Sequence, residues 1–331
     1  MAVVRRKEVP NKADVREKPE TGPVEQEPAP PRISVLIVSH NNADALRRCL
    51  NALENSKSRN EFEILVVDNG SVDECPQMDA EFPGITMLRL PRNFGATKAL
   101  NIGMRTAVGE LIFFLHPEAE LTPETVSVLA ARLDAEPDVA AVCPVLVDES
   151  GQAIPVFHRL PDPAALSAAW RRDGALDAVQ VDLNADAAQV EYPGRAALMV
   201  RKQFLKGMNY LDERYGEYWA DAELCYQIRR AQRKILALAG VRAVYRPGPS
   251  LPDYPPPVRA VLSADYASGA AAFAGKHYGF FTGLGLRLGA AFSALGQALM
   301  SLARFRDVGY HWSRFFALAT GQKVDGSQSA L

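Results

Sequence analysis

Apolar and polar positions alternate in blocks along this chain. Ile33-Ser-Val-Leu-Ile-Val-Ser39 is a short apolar run, and so is Ile64-Leu-Val-Val67. Runs of this length predict strands buried in a sheet. Ile85 to Leu90, Leu111 to Leu115, Val139 to Cys143 and Ala196 to Val200 read the same way. Between them, apolar residues recur at helical spacing. Leu46, Leu50 and Leu53 mark a helix over 45–56, with Asp44 as its cap. Leu100 and Met104 mark another over 96–108, which Gly109 ends. Further helices are expected over 123–133 and 221–233, the second burying Leu224 and Ile228. Residues 235–238 and 241–245 read as a short antiparallel pair. Strand and helix in alternation predict an α/β fold, with a mostly parallel sheet covered on both faces.

In open α/β sheets, ligands bind where strands end. The first strand ends at His40-Asn41-Asn42, and the second runs into Asp68-Asn69-Gly70-Ser71. Asp68, an acid delivered by an apolar run into a polar turn, is the first site candidate. An ordinary Asp/Asn/Gly turn is the alternative. No G-x-G-x-x-G follows the first strand, which disfavours the usual dinucleotide-binding fold.

The chain has 331 residues and a formal charge of -2, so it can bury a large core and is not built for wholesale nucleic-acid binding. Its four cysteines form no C-x-x-C pair, so neither a zinc knuckle nor a disulfide scaffold is indicated. Residues 1–30 are rich in charge and proline, lack a secretory signal, and are expected to be disordered. That tail is either solvated or partner-binding. After a proline-rich linker, residues 251–320 form an expected helical extension before a flexible tail, 321–331. Leu284, Leu288, Phe292, Leu295, Leu299 and Leu302 there recur at amphipathic-helix spacing, bordered by Arg287, Arg304 and Arg306. Two readings stand: a helical hairpin packed on the core or across a homodimer, or a peripheral contact with the inner face of the cell membrane. The expected location is the cytoplasm.

The stretches VLIVSHNN, ILVVDNGSVD, RNFGATKALNIG, LIFFLHPEAE and LDERYGEYWADAELC, spread over residues 33–250, together resemble glycosyltransferase family 2. The nearest subgroup looks like bacterial transferases that add rhamnose or a related sugar to cell-envelope glycans. The resemblance implies a single A-type glycosyltransferase domain over 31–250, with a donor half, 31–143, and an acceptor half, 144–250. It implies a nucleotide-sugar pocket lined by Ser39, His40, Asn41, Asp68, Asn69, Gly70 and Ser71, continuing through Asn93, Gly95 and Lys98. Gly70 would let backbone approach the ligand. Lys98 would neutralise phosphate, or is a plain surface lysine. Asp221 corresponds to the general base of an inverting transfer, or merely caps its helix, and Glu223 retains a second acidic position of the family motif.

Departures from the family pattern cluster in one functional system. His116 and Glu118, with Glu120 beyond, stand where the family holds a divalent metal with Asp-x-Asp or Asn-Pro-Asp. Imidazole moves preference from magnesium towards softer transition metals. A manganese or magnesium site, altered, and no metal site at all are equally open. Ala220 replaces a glutamate. Arg195 and Arg246 stand where glycine and histidine are common; arginine binds phosphate well, while a long side chain at 195 would either touch diphosphate or block part of the pocket. Two functions follow from the resemblance. One is inverting transfer from a nucleotide-diphosphate sugar to a glycan or lipid-linked hydroxyl. The other is a catalytically degenerate nucleotide-sugar-binding scaffold.

Overall fold

The computed structural model describes residues 30–171, 176–182, 185–248 and 253–321. Of the tails expected to be disordered, 1–30, and flexible, 321–331, residues 1–29 and 322–331 lie outside those residues. Among them the elements run β1 (Ile33–Ser39), α1 (Ala43–Glu54), β2 (Phe62–Asp68), α2 (Met78–Glu81), β3 (Ile85–Arg89), α3 (Ala96–Thr106), β4 (Leu111–Leu115), β5 (Ala119–Leu121), α4 (Thr125–Ala135), β6 (Val139–Val147) and α5 (Pro163–Arg171). The second half contains β7 (Ala187–Gln189), β8 (Ala197–Arg201), α6 (Lys202–Gly207), α7 (Ala220–Arg230), β9 (Lys234–Tyr245), α8 (Pro256–His277), α9 (Phe280–Arg304) and α10 (Val308–Thr320).

The strands form one sheet in the order β3-β2-β1-β4-β8-β6-β9-β5, with β7 also on β9. β3, β2, β1 and β4 are parallel, as the alternation with helices predicts. The sheet as a whole is mixed, which corrects the mostly parallel expectation. β8 enters from the loop edge, where the His116 amide donates to the Ala196 carbonyl, so it runs antiparallel to both β4 and β6. β5 and β7 are antiparallel to β9. The expected hairpin over 235–245 is instead the single strand β9, parallel to β6. Its register jumps from Pro144–Leu238 to Val145–Arg242. Pro144 has no N–H for the ladder, and residues 239–241 bulge out opposite that break.

Side chains alternate across each strand, so one apolar run feeds two cores. Val35, Ile37, Ile64 and Val66 join Leu46, Leu50 and Leu129 on one face. Leu36, Leu65 and Val67 join Leu100, Met104 and Ile228 on the other, together with Tyr266 and Phe273 of α8. α8 is thus part of the main core. Its other side, with Val261, Ala264 and Ala267, packs on Ala290, Ala294 and Ala317 of α9 and α10.

Asp44 does not cap α1. It pairs on the surface with Arg47. The first α1 amide, on Ala43, donates instead to Asp73 Oδ2 at 2.9 Å, while Asp73 Oδ1 accepts from Cys75 at 3.0 Å. Burial raises the Asp73 pKa, but those amide bonds outweigh it and leave the carboxyl below its ordinary value of 3.8. Gly70 has φ +75°, and a Cβ there would sit 2.7 Å from the Asn93 amide nitrogen and closer still to Arg92. Its lack of a side chain therefore lets the chain's own 92–93 backbone approach, not a ligand's.

Two outcomes follow for stability. Gly70→Ala should cost more than about 1 kcal/mol, because it meets both an unfavourable φ and a backbone clash; a thermal melt would read the loss. Asp73→Ala should cost about 1 kcal/mol near neutral pH, at the low end for a charge-assisted bond because the side chain is partly solvated. A depressed carboxyl stabilises above its unfolded pKa and loses that contribution as pH falls through the folded value. The gap between Asp73→Ala and the unaltered chain should therefore narrow in melts below pH 3.8.

Candidate functional site: a cleft at the strand ends

The loops after β1, β2 and β3 are tied to one another by side-chain amides. Asn41, at φ 51°, donates its backbone N–H to Ser71 Oγ at 3.0 Å, and its Oδ1 accepts from the Val72 amide at 2.9 Å. Asn69 Oδ1 accepts from the Phe94 amide at 2.9 Å, and its Nδ2 donates to Asn93 Oδ1, also at 2.9 Å. Asn93 Oδ1 in turn accepts from Gly95 at 2.8 Å. Gly95, at φ 81°, opens α3. These bonds turn three separate loops into one wall.

A fourth loop joins through Asn42. The Ser39 hydroxyl donates to Asn42 Oδ1 at 2.6 Å, and Asn42 Nδ2 donates to Glu118 Oε1 at 3.0 Å. Glu118 Oε2 lies 2.6 Å from His116 Nδ1. Burial pushes the Glu118 carboxyl up, but His116 and the Asn42 amide outweigh it and hold it below its ordinary value.

The opposite wall comes from the second half of the chain. Asn101 of α3 donates to the Leu211 carbonyl at 2.8 Å and accepts from the Leu211 amide at 3.0 Å. Thr97 bonds the Gly216 carbonyl, and the Ala96 amide donates to Glu217 Oε2 at 3.0 Å. Trp219 then takes a left-handed conformation, φ 76°, as it enters α7. Such a conformation is costly for a bulky side chain and persists only when its surroundings fix it. Here the indole donates to the Tyr266 carbonyl at 2.9 Å.

Between the walls lies a cleft of about 810 Å³. His40, Asn41, Asn69, Asn93, His116, Glu118, Arg195 and Asp221 all line it. Tyr192 lines the cleft with Asp221, and burial, then the charge of that carboxylate, pushes the phenol pKa well up. Tyr192 therefore keeps its proton beside Asp221. Glu217, Tyr218, Tyr254 and Tyr266 also line it, from the second half of the chain. Tyr245 is pushed up to about 12, chiefly by burial and then by Glu118, against the opposing effect of Arg195.

Other expected site residues sit elsewhere. Asp68 is only 2% exposed and lies behind the lining formed by its neighbours. Burial raises its pKa, opposed by its bonds from Ser71 and by His40. Ser39, Gly70, Ser71 and Gly95 support the loops without lining the cleft. Lys98 is exposed, with its ammonium 4.6 Å from the centre of the Phe94 ring. Glu223 does not face this cleft. It is buried against Tyr215, Gln227, Lys276 and His277, beside a second cavity. Two residues along a helix is a rotation of about 200°, which takes it to the far side from Asp221. Arg246 is likewise turned away, paired with Glu120 and Glu149.

Among the described residues no three His, Cys, Asp or Glu side chains converge to hold a metal ion. His116 and Glu118 occupy each other, and Glu120 is engaged by Arg48 and Arg246. The donor set does not fit a ready-made divalent-metal site. The sequence did not reveal Tyr192, Trp219 or Asn42 as site residues. Tyr192 lies in a stretch without periodicity, and the φ of Trp219 leaves no mark on composition.

Residues 34–176 match the family model described as Glycosyl transferase family 2. The uncharacterized protein MT1568 of Mycobacterium tuberculosis is 36% identical over 109 residues, 32% of this chain and 34% of that protein. An undecaprenyl-phosphate 4-deoxy-4-formamido-L-arabinose transferase of Klebsiella pneumoniae is 30% identical over 115 residues, 33% of this chain and 35% of that one. The matches span about a third of the length of these curated relatives. Among solved structures, GalNAc-T7 with UDP, GalNAc and Mn2+ superposes with a TM-score of 0.56 at 17% identity, over 73% of this chain and 47% of that one. The mannosyltransferase PcManGT of Pyrobaculum calidifontis, in complex with GDP-Man and Mn2+, gives 0.51 at 17% identity, over 89% and 88%. S. aureus TarS 1-349 with UDP-GlcNAc gives 0.50 at 17% identity, over 88% and 92%. Residues 34–176 thus match glycosyl transferase family 2, and the chain shares the fold of these solved structures, with a mixed sheet and a helical C-terminal extension.

Proposed function

We propose that this chain transfers a sugar from a nucleotide-diphosphate donor to an acceptor hydroxyl, with inversion at the anomeric carbon. The observation that carries the reading is that Asp221 shares one cleft with the amide-tied loops after β1, β2 and β3. Asp221 takes the proton of the acceptor hydroxyl as its oxygen attacks the anomeric carbon. The bond to the diphosphate oxygen breaks on the opposite face, and the electron pair leaves with the diphosphate. Tyr192 is a positioning residue for Asp221. Asn69, Asn93, His40 and Asn41 bind the nucleotide, with Asp68 as a support behind them.

Arg195 is the lining cation that meets the diphosphate charge, in a cleft where such charge is weakly screened. Arg246, already paired with two carboxylates, has no such role. The acceptor wall of Tyr192, Tyr218, Tyr254 and Tyr266 suits the apolar faces of sugar rings. The related names mention UDP with GalNAc, UDP-GlcNAc, a mannosyltransferase with GDP-Man and a 4-deoxy-4-formamido-L-arabinose transferase, so rhamnose and a cell-envelope glycan rest on sequence resemblance alone. The scaffold reading is favoured by one observation, the mutual pairing of His116 and Glu118 where a metal-holding pair would stand.

Asp221→Asn should lower transfer by about 10²- to 10⁴-fold while leaving donor affinity within a few-fold, read by product formation and by calorimetric titration of the donor. Donor binding by the unaltered chain without transfer to any of a panel of acceptors would leave the scaffold reading standing. Donor turnover should survive EDTA and fall on the order of tenfold or more in Arg195→Gln, about the strength of one charge-assisted bond. Abolition by EDTA with full recovery in manganese would assign the diphosphate charge to a metal instead.

A further inference from the structure

The C-terminal helix α9 is packed inside out. Gly283, Ala290, Ala294, Ala298 and Ser301 are its buried positions, set against α8 and α10. The large apolar side chains point the other way: Phe281 is 83% exposed, Phe292 69%, and Leu284, Leu288, Leu299 and Leu302 extend the same stripe. Spacings of three and four keep that stripe on one line along 25 residues, a length of about 37 Å. Phe305, 92% exposed, and Phe316 of α10 add to it. A run of this size is far beyond the scattered exposed apolar residues of an ordinary surface.

Charge identifies what covers the stripe. From Phe280 to Gly321 the charged side chains are Arg287, Arg304, Arg306, Arg314 and a single acid, Asp307, in a chain whose formal charge is -2. Arg287, Arg304 and Arg306 are exposed, Arg287 one residue from Leu288 of the stripe and the other two at the C-terminal end of α9, while Arg314 is buried. A second copy of the same face would set arginines near arginines. An anionic bilayer receives both the apolar stripe and its cationic border. α9 is long and apolar enough to cross a membrane, yet its small-residue side is already packed on α8 and α10. It therefore lies along the domain with only its outer side free. α8 connects this face to the cleft: Leu262 and Tyr266 line the cleft, while Val261, Ala264 and Ala267 pack towards α9 and α10.

We propose that the outer face of α9, with Phe305 and Phe316, docks the domain in plane on an anionic lipid bilayer. The docking stands apart from the sugar-transfer reading, since nucleotide-sugar titration in solution measures that reading separately. The test is flotation of the full chain with vesicles of phosphatidylcholine alone or mixed with phosphatidylglycerol, beside a variant carrying Leu288→Ser, Phe292→Ser and Leu299→Ser. These three side chains are exposed, so an unchanged melting temperature establishes that the variant folds. The expected result is binding to the mixed vesicles on the order of tenfold or more above phosphatidylcholine alone, weakened by salt and lost in the variant. Equal flotation of variant and unaltered chain overturns the proposal, and so does equal binding to both vesicle types. A dimer in sedimentation velocity that the three substitutions dissociate would assign the face to a second copy instead.

Discussion

The cleft depends on hydrogen bonds from asparagine side chains between loops that no regular ladder connects. A parallel sheet fixes its strands but leaves the connections at their ends without partners. Here Asn41 satisfies the loop after β2, Asn69 the loop after β3, and Asn42 the loop after β4. Asn101 extends the same device to the second half of the chain. Each amide both donates and accepts, so it can answer a backbone N–H on one element and a carbonyl or carboxylate on another. Where they are buried, as between Asn69 and Asn93 and between Asn101 and Leu211, these bonds would be expensive to leave unmade, and that asymmetry holds the wall in one arrangement.

Against this rigid wall, the departures from the family's metal-holding residues acquire a structural setting. His116 and Glu118 are not loose ligands: they are hydrogen-bonded to each other and anchored through Asn42 to β1. Arg246 is consumed by Glu120 and Glu149, so of the two arginines singled out by their positions only Arg195 faces the cleft. Positive charge in the cleft is thus built into the chain itself, at a point set by the turn that enters β8.

The second half of the chain closes the site by packing. The left-handed Trp219 is fixed by α8, whose Asp265 also accepts from the Glu217 amide at 2.8 Å. That helix belongs at once to the main core and to the C-terminal helical layer. Lining the cleft on one side and supporting α9 on the other, it joins the cleft to the apolar outer face.

Much of the fold was legible along the chain because it rests on local periodicity. The apolar runs at 33–39 and 111–115 became β1 and β4, and the leucine spacing over 46–53 became the buried side of α1. Asp68 could be named as a candidate because an apolar run ends in it, and Asp221 because its motif resembles that of a known family. Direction and partnership were not legible. Nothing local says that β8 runs antiparallel, that residues 239–241 bulge opposite a proline, or that Glu223 turns from Asp221 into a cluster with Lys276 and His277. Nor does amphipathic spacing say which side of α9 faces inward, since both its sides are apolar and only close contact with α8 selects the small one. Pattern determines which residues share a face, a short-range property of backbone geometry. Which surface that face meets is set by contacts between residues far apart in the chain, and those exist only once the whole molecule has packed.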